Sequence, residues 1–469
     1  MDNFWDFSVW GFVNLIGVLL LSLLVSNLLK KSIPLLRRSL IPTSVLGGII
    51  LLIISTVYQS VTDTRLFDAA VFGGNGMATL EIVTYHCLAF GFIATTFSSV
   101  RKEKSRRRTI EIFNTGVTTV STYLLQAVLG MGITLLIAYA IVPDFFKAAG
   151  ILLPFGYGQG TGQALNYGGI YENEYGFLGG RTFGLTVAAM GFLSAAIGGV
   201  IHMNVLRKKG KVTVTERDVT AALNAEQIQS PDEIPMNGSI DKMTVQIAII
   251  LSVYMATYAV IYGLAALLPG FKSVLYGFNF LIGVLMATLT KAVLSLLRKK
   301  NITKKEYVNP FLMTRASGFF FDLMIVAGVA AIRLEFLRGY WWILLALGVV
   351  GACSTYYYNY FVAKKLFPGY AEEQFLAMYG MLTGTASTGI VLLREIDTDF
   401  KTPAADNLVY QNFPAIVFGF PMMLLATLAP KQPELTFGIL VAFFIAMNVL
   451  LFRAYIFRRR KHKKIKKQG

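Results

Sequence analysis

The sequence predicts an all-α polytopic membrane protein. It is built as two inverted-topology repeats of five transmembrane helices, each with a re-entrant glycine-rich segment, followed by one extra C-terminal helix. Three observations predict this. The 469 residues are 55% hydrophobic with a mean hydropathy of +0.59, more apolar surface than a soluble chain can cover. Runs of about 18 or more apolar residues recur from Trp10 to Phe457, each long enough for the hydrocarbon core. Basic residues gather in short loops at the ends of those runs. The net charge of +17 is therefore a topology signal and not a nucleic-acid surface.

Taken in order, spans are predicted near 9–29, 40–58, 81–99, 116–142, 183–206, 245–268, 276–297, 316–332, 340–363, 413–430 and 435–457. The first is a span and not a cleaved leader, because Met1 to Phe7 carries Asp2 and Asp6 where a basic region belongs. Cys87 and Cys353 both fall inside spans, so no disulfide is expected.

Two shorter, glycine-broken segments remain, near 148–170 and 375–393. If both cross the bilayer, the basic residues scatter. If each enters and returns on one side, they sort. One side then holds 29 Lys and Arg, including "RKKGK" at 207–211 and the tail "RRRKHKKIKK"; the other holds 7. The rich side is cytoplasmic. The chain is expected in the cell (inner) membrane, N-terminus outside and C-terminus inside.

The organisation follows. Residues 9–206 form a first repeat with its re-entrant segment at 148–170, and 207–243 a polar cytoplasmic linker. Residues 244–430 form a second repeat with its segment at 375–393, 431–457 the surplus helix, and 458–469 a basic tail. Paired halves with an interrupted element in the same ordinal place are the layout of many secondary transporters.

The chemistry is expected at those interruptions, "GYGQGTGQALNYGG" and "YGMLTGTASTGIVLL". Backbone left unpaired in hydrocarbon costs several kcal/mol per group, so an unwound stretch must meet protein, water or ligand. Glycine admits a ligand to bare peptide groups. Half-helix N-termini suit a carboxylate, and exposed carbonyls suit sodium. The candidate substrate-binding residues are Gly158, Gln159, Gly160, Thr161, Gly162, Gln163 and Asn166, with Thr383, Gly384, Thr385, Ser387 and Thr388. Close helix packing by small residues is the competing explanation for both segments. The glycine spacing of two in Gly156, Gly158, Gly160 and Gly162 suits no helix face, so this stretch is expected to stay unwound.

Intramembrane charges are few. Asp322, mid-span in "SGFFFDLMIVAGV", is the candidate sodium ligand, or a site for protons. Glu81 and His86 read as interfacial, Lys291 can snorkel, and Arg181, Arg394, Glu172 and Glu174 read as topology anchors or a solvated mouth. No His-Glu-x-x-His or paired catalytic aspartates occur, so an intramembrane enzyme is not expected. Inverted halves favour alternating access over a channel.

"LLRRSLIPTSVLGG" at 35–48, "PFGYGQGTGQALNYGGIYENEYGF" at 154–177 and "FLAMYGMLTGTASTG" at 375–389 resemble the bacterial sodium/glutamate symporters. The likeness runs over roughly 9–430. It is specific in the first loop and looser in the second, where "GTASTG" lacks the proline and histidine that the family tends to have. The resemblance implies sodium-coupled uptake of glutamate by a homodimer, with no resident cofactor beyond the coupling ion. It also implies an elevator-like movement of the part carrying both loops, and makes Gly158, Gly160, Thr161 and Gly162 substrate or ion contacts.

Overall fold

The computed structural model describes residues 3–98, 105–209, 240–303, 305–397 and 401–456. The expected basic tail at 458–469 and nearly all of the linker at 207–243 lie outside the described residues.

Within the described residues the chain is helical with no strands. In order, the helices are α1 (Phe7–Ser32), α2 (Pro34–Arg38), α3 (Thr43–Thr62), α4 (Gly76–Ser98), α5 (Arg106–Ala140), α6 (Leu152–Gln159), α7 (Thr161–Tyr175) and α8 (Gly180–Lys208). They continue as α9 (Lys242–Leu267), α10 (Lys272–Gly277), α11 (Asn279–Lys299), α12 (Pro310–Ala330), α13 (Trp341–Leu366) and α14 (Ala371–Leu382). The last are α15 (Ala386–Arg394), α16 (Ala404–Tyr410), α17 (Asn412–Leu428) and α18 (Pro433–Leu451). Ten helices among the described residues are long and apolar enough to cross a membrane, and α16 with α17 supplies an eleventh if taken together. The protein is thus an all-α polytopic membrane protein.

Local chemistry sets several boundaries. Ser105 caps α5 by accepting from the Arg108 amide, and Asp241 caps α9 by accepting from Met243 and Thr244. Asn309 accepts from the Leu312 amide at the start of α12, with Pro310 in the first turn where no amide is needed. Gly176, at φ 71°, ends α7 in the left-handed region that glycine enters without penalty.

The chain divides into two compact units. The first comprises Met1–Leu29, Thr43–Lys102 and Arg207–Ala331; the second comprises Lys30–Pro42, Glu103–Leu206 and Ile332–Gly469. Each unit draws on both sequence halves. The first three expected spans of each half build unit one. The fourth, the broken segment and the fifth build unit two, together with α18.

Unit one packs α12 against α4 and α3, and α11 against α4 and α9, around Ile93, Phe97, Ile250, Val253, Ala287 and Met313. Its helices approach closely at small residues: a Cβ on Gly91 would lie 2.5 Å from the Phe321 ring, and one on Gly48 2.5 Å from Val329. Such contact is the main source of helix association where lipid is as apolar as leucine. Thr95 and Ser317 add a hydroxyl pair at 2.7 Å across the same crossing.

Unit two is organised around α5, which packs against α6, α13, α17 and α18. One stripe of α5 is polar and buried: Thr115, Thr118, Thr119, Thr122 and Gln126. The threonine hydroxyls donate to carbonyls one turn back, Thr118 to Asn114 at 2.7 Å and Thr122 to Thr118 at 2.8 Å. The expectation that residues 156–164 stay unwound is corrected: α6 runs to Gln159 and α7 starts at Thr161, leaving one residue outside the helices. Helical pairing satisfies the backbone internally, and buried peptide groups in an apolar setting have few cheaper partners.

Candidate functional site

The first break is a single glycine. Gly160 adopts φ 82° and ψ −172°, a conformation that L side chains avoid, and it interrupts the helical path between α6 and α7. A helix begins with amides that have no intrahelical acceptor, and α7 begins directly after the break with Thr161, Gly162 and Gln163. Gly158 has no room for a side chain: a Cβ would sit 2.2 Å from the Tyr123 ring of α5. The Tyr123 hydroxyl instead donates to the Gly158 carbonyl at 3.0 Å.

The second break spans Thr383 to Thr385, between α14 and α15. Thr385 caps α15 by accepting from the Thr388 amide at 3.4 Å, and the Thr383 hydroxyl donates to the Tyr379 carbonyl at 2.6 Å. Gly384 is enclosed by Thr388, Phe192 and the Gly380 carbonyl. Here α14 ends with its carbonyls and α15 starts with its amides, so the two signs of helix dipole lie a few residues apart.

Both breaks converge on α8. A Cβ on Gly191 would stand 2.6 Å from the Thr383 carbonyl oxygen and 3.2 Å from the Tyr157 Cα. One turn on, Ser194 ties the same two segments: the Tyr157 and Ser194 hydroxyls pair at 2.9 Å, and the Tyr379 hydroxyl donates to the Ser194 carbonyl at 2.8 Å. Tyr157 also donates to the Gly348 carbonyl of α13 at 2.7 Å. The two interrupted elements, far apart in sequence, are thus neighbours in one compact unit.

Several buried polar atoms here have no partner in the protein. They are both side-chain amide atoms of Gln159, Nε2 of Gln163, and Oε1 of Gln126 on α5. Gln163 and Gln126 are fully buried. A buried group left unpaired costs about 1–3 kcal/mol, and such clusters mark places where a ligand or water completes the bonding.

Most of the predicted residues assemble here. Gly158, Gln159, Gly160, Thr161, Gly162 and Gln163 border the first break, and Thr383, Gly384, Thr385 and Thr388 the second. Asn166 is half-buried one turn into α7, donating to Gln163 Oε1 at 3.3 Å. Ser387 is exposed on α15. Asp322 is exposed on α12, which belongs to unit one. Arg181 is engaged by Glu172, guanidinium to carboxylate at 2.9 Å, with a further bond to Asn173. His86 pairs with Tyr254 at 2.7 Å, and Lys291 reaches the Thr96 carbonyl at 3.2 Å. Cys87 and Cys353 are free thiols.

The sequence reading passed over Tyr123, Gln126, Gly191, Ser194 and Thr355. The signal for the first two was available in "TGVTTVSTYLLQ" at 115–126, where polar residues recur every three or four positions along one helix face. Buried polar bonding also steadies the base of α14. Tyr370 donates to Glu111 at 3.0 Å, Asn407 donates to Gln374 at 2.9 Å, and Gln374 donates to Thr115 at 3.3 Å.

Comparison with curated proteins gives no match. The profile of the sodium/glutamate symporter family matches residues 11–362, which include the first break, α5 and α8. The match ends within α13, so the second break, where the sequence likeness was already looser, lies beyond it. With three quarters of its length matched, the chain belongs to the sodium/glutamate symporter family, a family of membrane transporters.

Proposed function

We propose that the protein is a secondary active transporter that couples Na⁺ entry to uptake of glutamate, or a similarly small anionic amino acid or carboxylate. The observation that carries this reading is the meeting of both helix breaks at Gly191, with unpartnered amides beside them. The N-terminal ends of α7 and α15 offer amides and positive dipole ends to a carboxylate. Gln159 and Gln163 supply donors, and the Gln159 oxygen suits the substrate ammonium. Neutral donors suit a cargo that must leave again, because a full cation beside the carboxylate would hold it tightly.

Both breaks belong to unit two, which supports an elevator-type cycle in which that unit carries the solute and unit one stays fixed. The same reading makes the protein a homodimer in the inner membrane, N-terminus outside and C-terminus cytoplasmic, with the two sequence halves as inverted repeats. Asp322 on unit one remains the carboxylate whose removal tests ion coupling, by sodium or, in the alternative reading, by protons.

The test is uptake into proteoliposomes with a panel of labelled acids. Glutamate accumulates only under an inward Na⁺ gradient, and Thr161→Val or Gly160→Ala abolishes uptake while leaving protein in the membrane. Normal uptake by both variants removes the first break from the site. Asp322→Asn alters the sodium curve if the residue is a ligand. A curve indifferent to sodium but responsive to a pH step establishes the proton alternative.

A further inference from the structure

Unit two also holds a buried histidine that the substrate cradle does not use. His202, on the membrane-spanning helix α8, is 2% exposed and packs against the rings of Tyr360 on α13 and Phe375 on α14. Its Nε2 stands 3.1 Å from Glu372 Oε2, in the first turn of α14. Its Nδ1 stands 2.8 Å from the Tyr356 hydroxyl of α13. The other Glu372 oxygen accepts from Lys364 Nζ at 2.5 Å. An ion-paired carboxylate only accepts, so Nε2 carries the ring hydrogen. In the neutral ring Nδ1 is then the acceptor, and the Tyr356 hydroxyl donates to it.

This run of titratable groups has two ends. Lys364 is exposed in the last turn of α13. Tyr356, at the other end, lines a cavity of about 450 Å³ between α8, α13 and α14, into which Ser194, Cys353, Tyr357 and Tyr379 also face. The titratable and charged groups around the ring are thus Tyr356, Tyr360 and Lys364 from α13 and Glu372 from α14, with Arg207 and Lys208 in the last turn of α8 itself. Hydrogen-bonded tyrosine, histidine and glutamate inside a membrane protein are the makings of a proton path.

We infer that His202 is a proton-binding site of unit two, reached from the cavity through Tyr356. The proton adds to Nδ1, which becomes a donor to the Tyr356 oxygen, and the Tyr356 hydrogen turns toward the cavity. The cluster of His202, Glu372 and Lys364 passes from neutral to singly positive. The inference rests on the transport reading above and leaves sodium as the driving ion. An uncompensated charge within the bilayer opposes movement of the unit that carries it. A turned Tyr356 also disturbs its edge-on contact with the Tyr379 ring, whose hydroxyl holds the Ser194 carbonyl beside both breaks. Neutral His202 is therefore the transporting form, and acid slows uptake.

Two measurements on the full-length protein in lipid test this. With His86→Gln and His462→Gln, His202 is the single histidine, and nitrogen NMR of its ring in nanodiscs reads the proton directly. The ring should gain one proton between roughly pH 8 and pH 5; a ring that stays neutral throughout overturns the assignment. Sodium-driven glutamate uptake into proteoliposomes, with equal pH on both faces, should fall toward acid along a one-proton curve in wild type and stay flat in His202→Gln. Tyr356→Phe removes the donor to the neutral ring, so the midpoint of that curve moves to higher pH by about half a unit or more. Glu372→Gln removes the carboxylate beside the imidazolium, so the midpoint moves the opposite way. A merely structural role would lower the rate in both variants and leave the midpoint in place, and that result overturns the assignment. If His202→Gln fails to fold, the NMR titration and the two opposed shifts decide. Uptake that needs Na⁺ but ignores pH removes the proton site alone; uptake that never responds to Na⁺ removes the transport reading, and the NMR titration still decides the site.

Discussion

At Gly191 a single missing side chain lets two distant parts of the chain meet. A Cβ there would collide with the Thr383 carbonyl oxygen at 2.6 Å and press on the Tyr157 Cα at 3.2 Å, and neither is the tip of a flexible side chain. Gly191→Val should therefore separate the breaks and lower glutamate uptake at least tenfold, with the protein still reaching the membrane; uptake assays normalised to protein level check this. Tyr123→Phe removes one hydrogen bond to the Gly158 carbonyl, a contribution of about 1 kcal/mol, so glutamate affinity should fall by roughly fivefold without loss of fold. The residues of the first break were legible because glycine, threonine and amides stand out within an apolar chain. Tyr123 and Gln126 left a fainter mark: α5 reads as one more apolar span unless the polar residues of 115–126 are set on one helix face. Asp322 drew notice by charge alone; it belongs to unit one, and both breaks belong to unit two.

Among the helices, the broken ones are less broken than their composition suggests. The glycines of α6 and α7 serve close packing as much as bending: a Cβ on Gly156 would meet Val187, and one on Gly168 would meet the Gly180 carbonyl at 2.3 Å. Periodicity arguments exclude a helix face for such glycines but cannot register neighbours on several sides. From Gly156 to Gly169, Gly160 alone has a positive φ that favours glycine for its own backbone angle. Gly160→Ala should cost about 1–3 kcal/mol of strain, seen as a lower melting temperature as well as lost uptake. Gly150 meets Gly130 of α5 so closely that a Cβ would stand 2.0 Å from the Gly130 carbonyl oxygen. Gly150→Ala should thus destabilise by roughly 1–3 kcal/mol, which thermal unfolding in detergent measures; an unchanged midpoint would mean the two segments are farther apart than described.

At the scale of the molecule, sequence order and spatial order differ. Hydropathy and the distribution of Lys and Arg divide the chain into two halves, and that pattern made the span count and the two interruptions legible. The compact units instead take the same ordinal elements from each half, a grouping that depends on long-range packing and leaves no mark in local sequence. An elevator cycle makes a specific demand on this grouping. In a background with Cys353→Ser, Ser387→Cys on exposed α15 should change its reactivity toward a membrane-impermeant maleimide when Na⁺ and glutamate are added. A cysteine placed at an exposed position of unit one, such as Val57, should not. Equal changes in both units would argue against a fixed and a moving part.

The central claim is that paired breaks in one unit form a sodium-dependent site for a small carboxylate. Equilibrium binding of labelled glutamate to the purified protein, with Na⁺ or choline, tests it most directly. The account predicts saturable binding that requires Na⁺ in the wild type and is lost in Thr161→Val. Binding that ignores Na⁺, or survives unchanged in that variant, would contradict it.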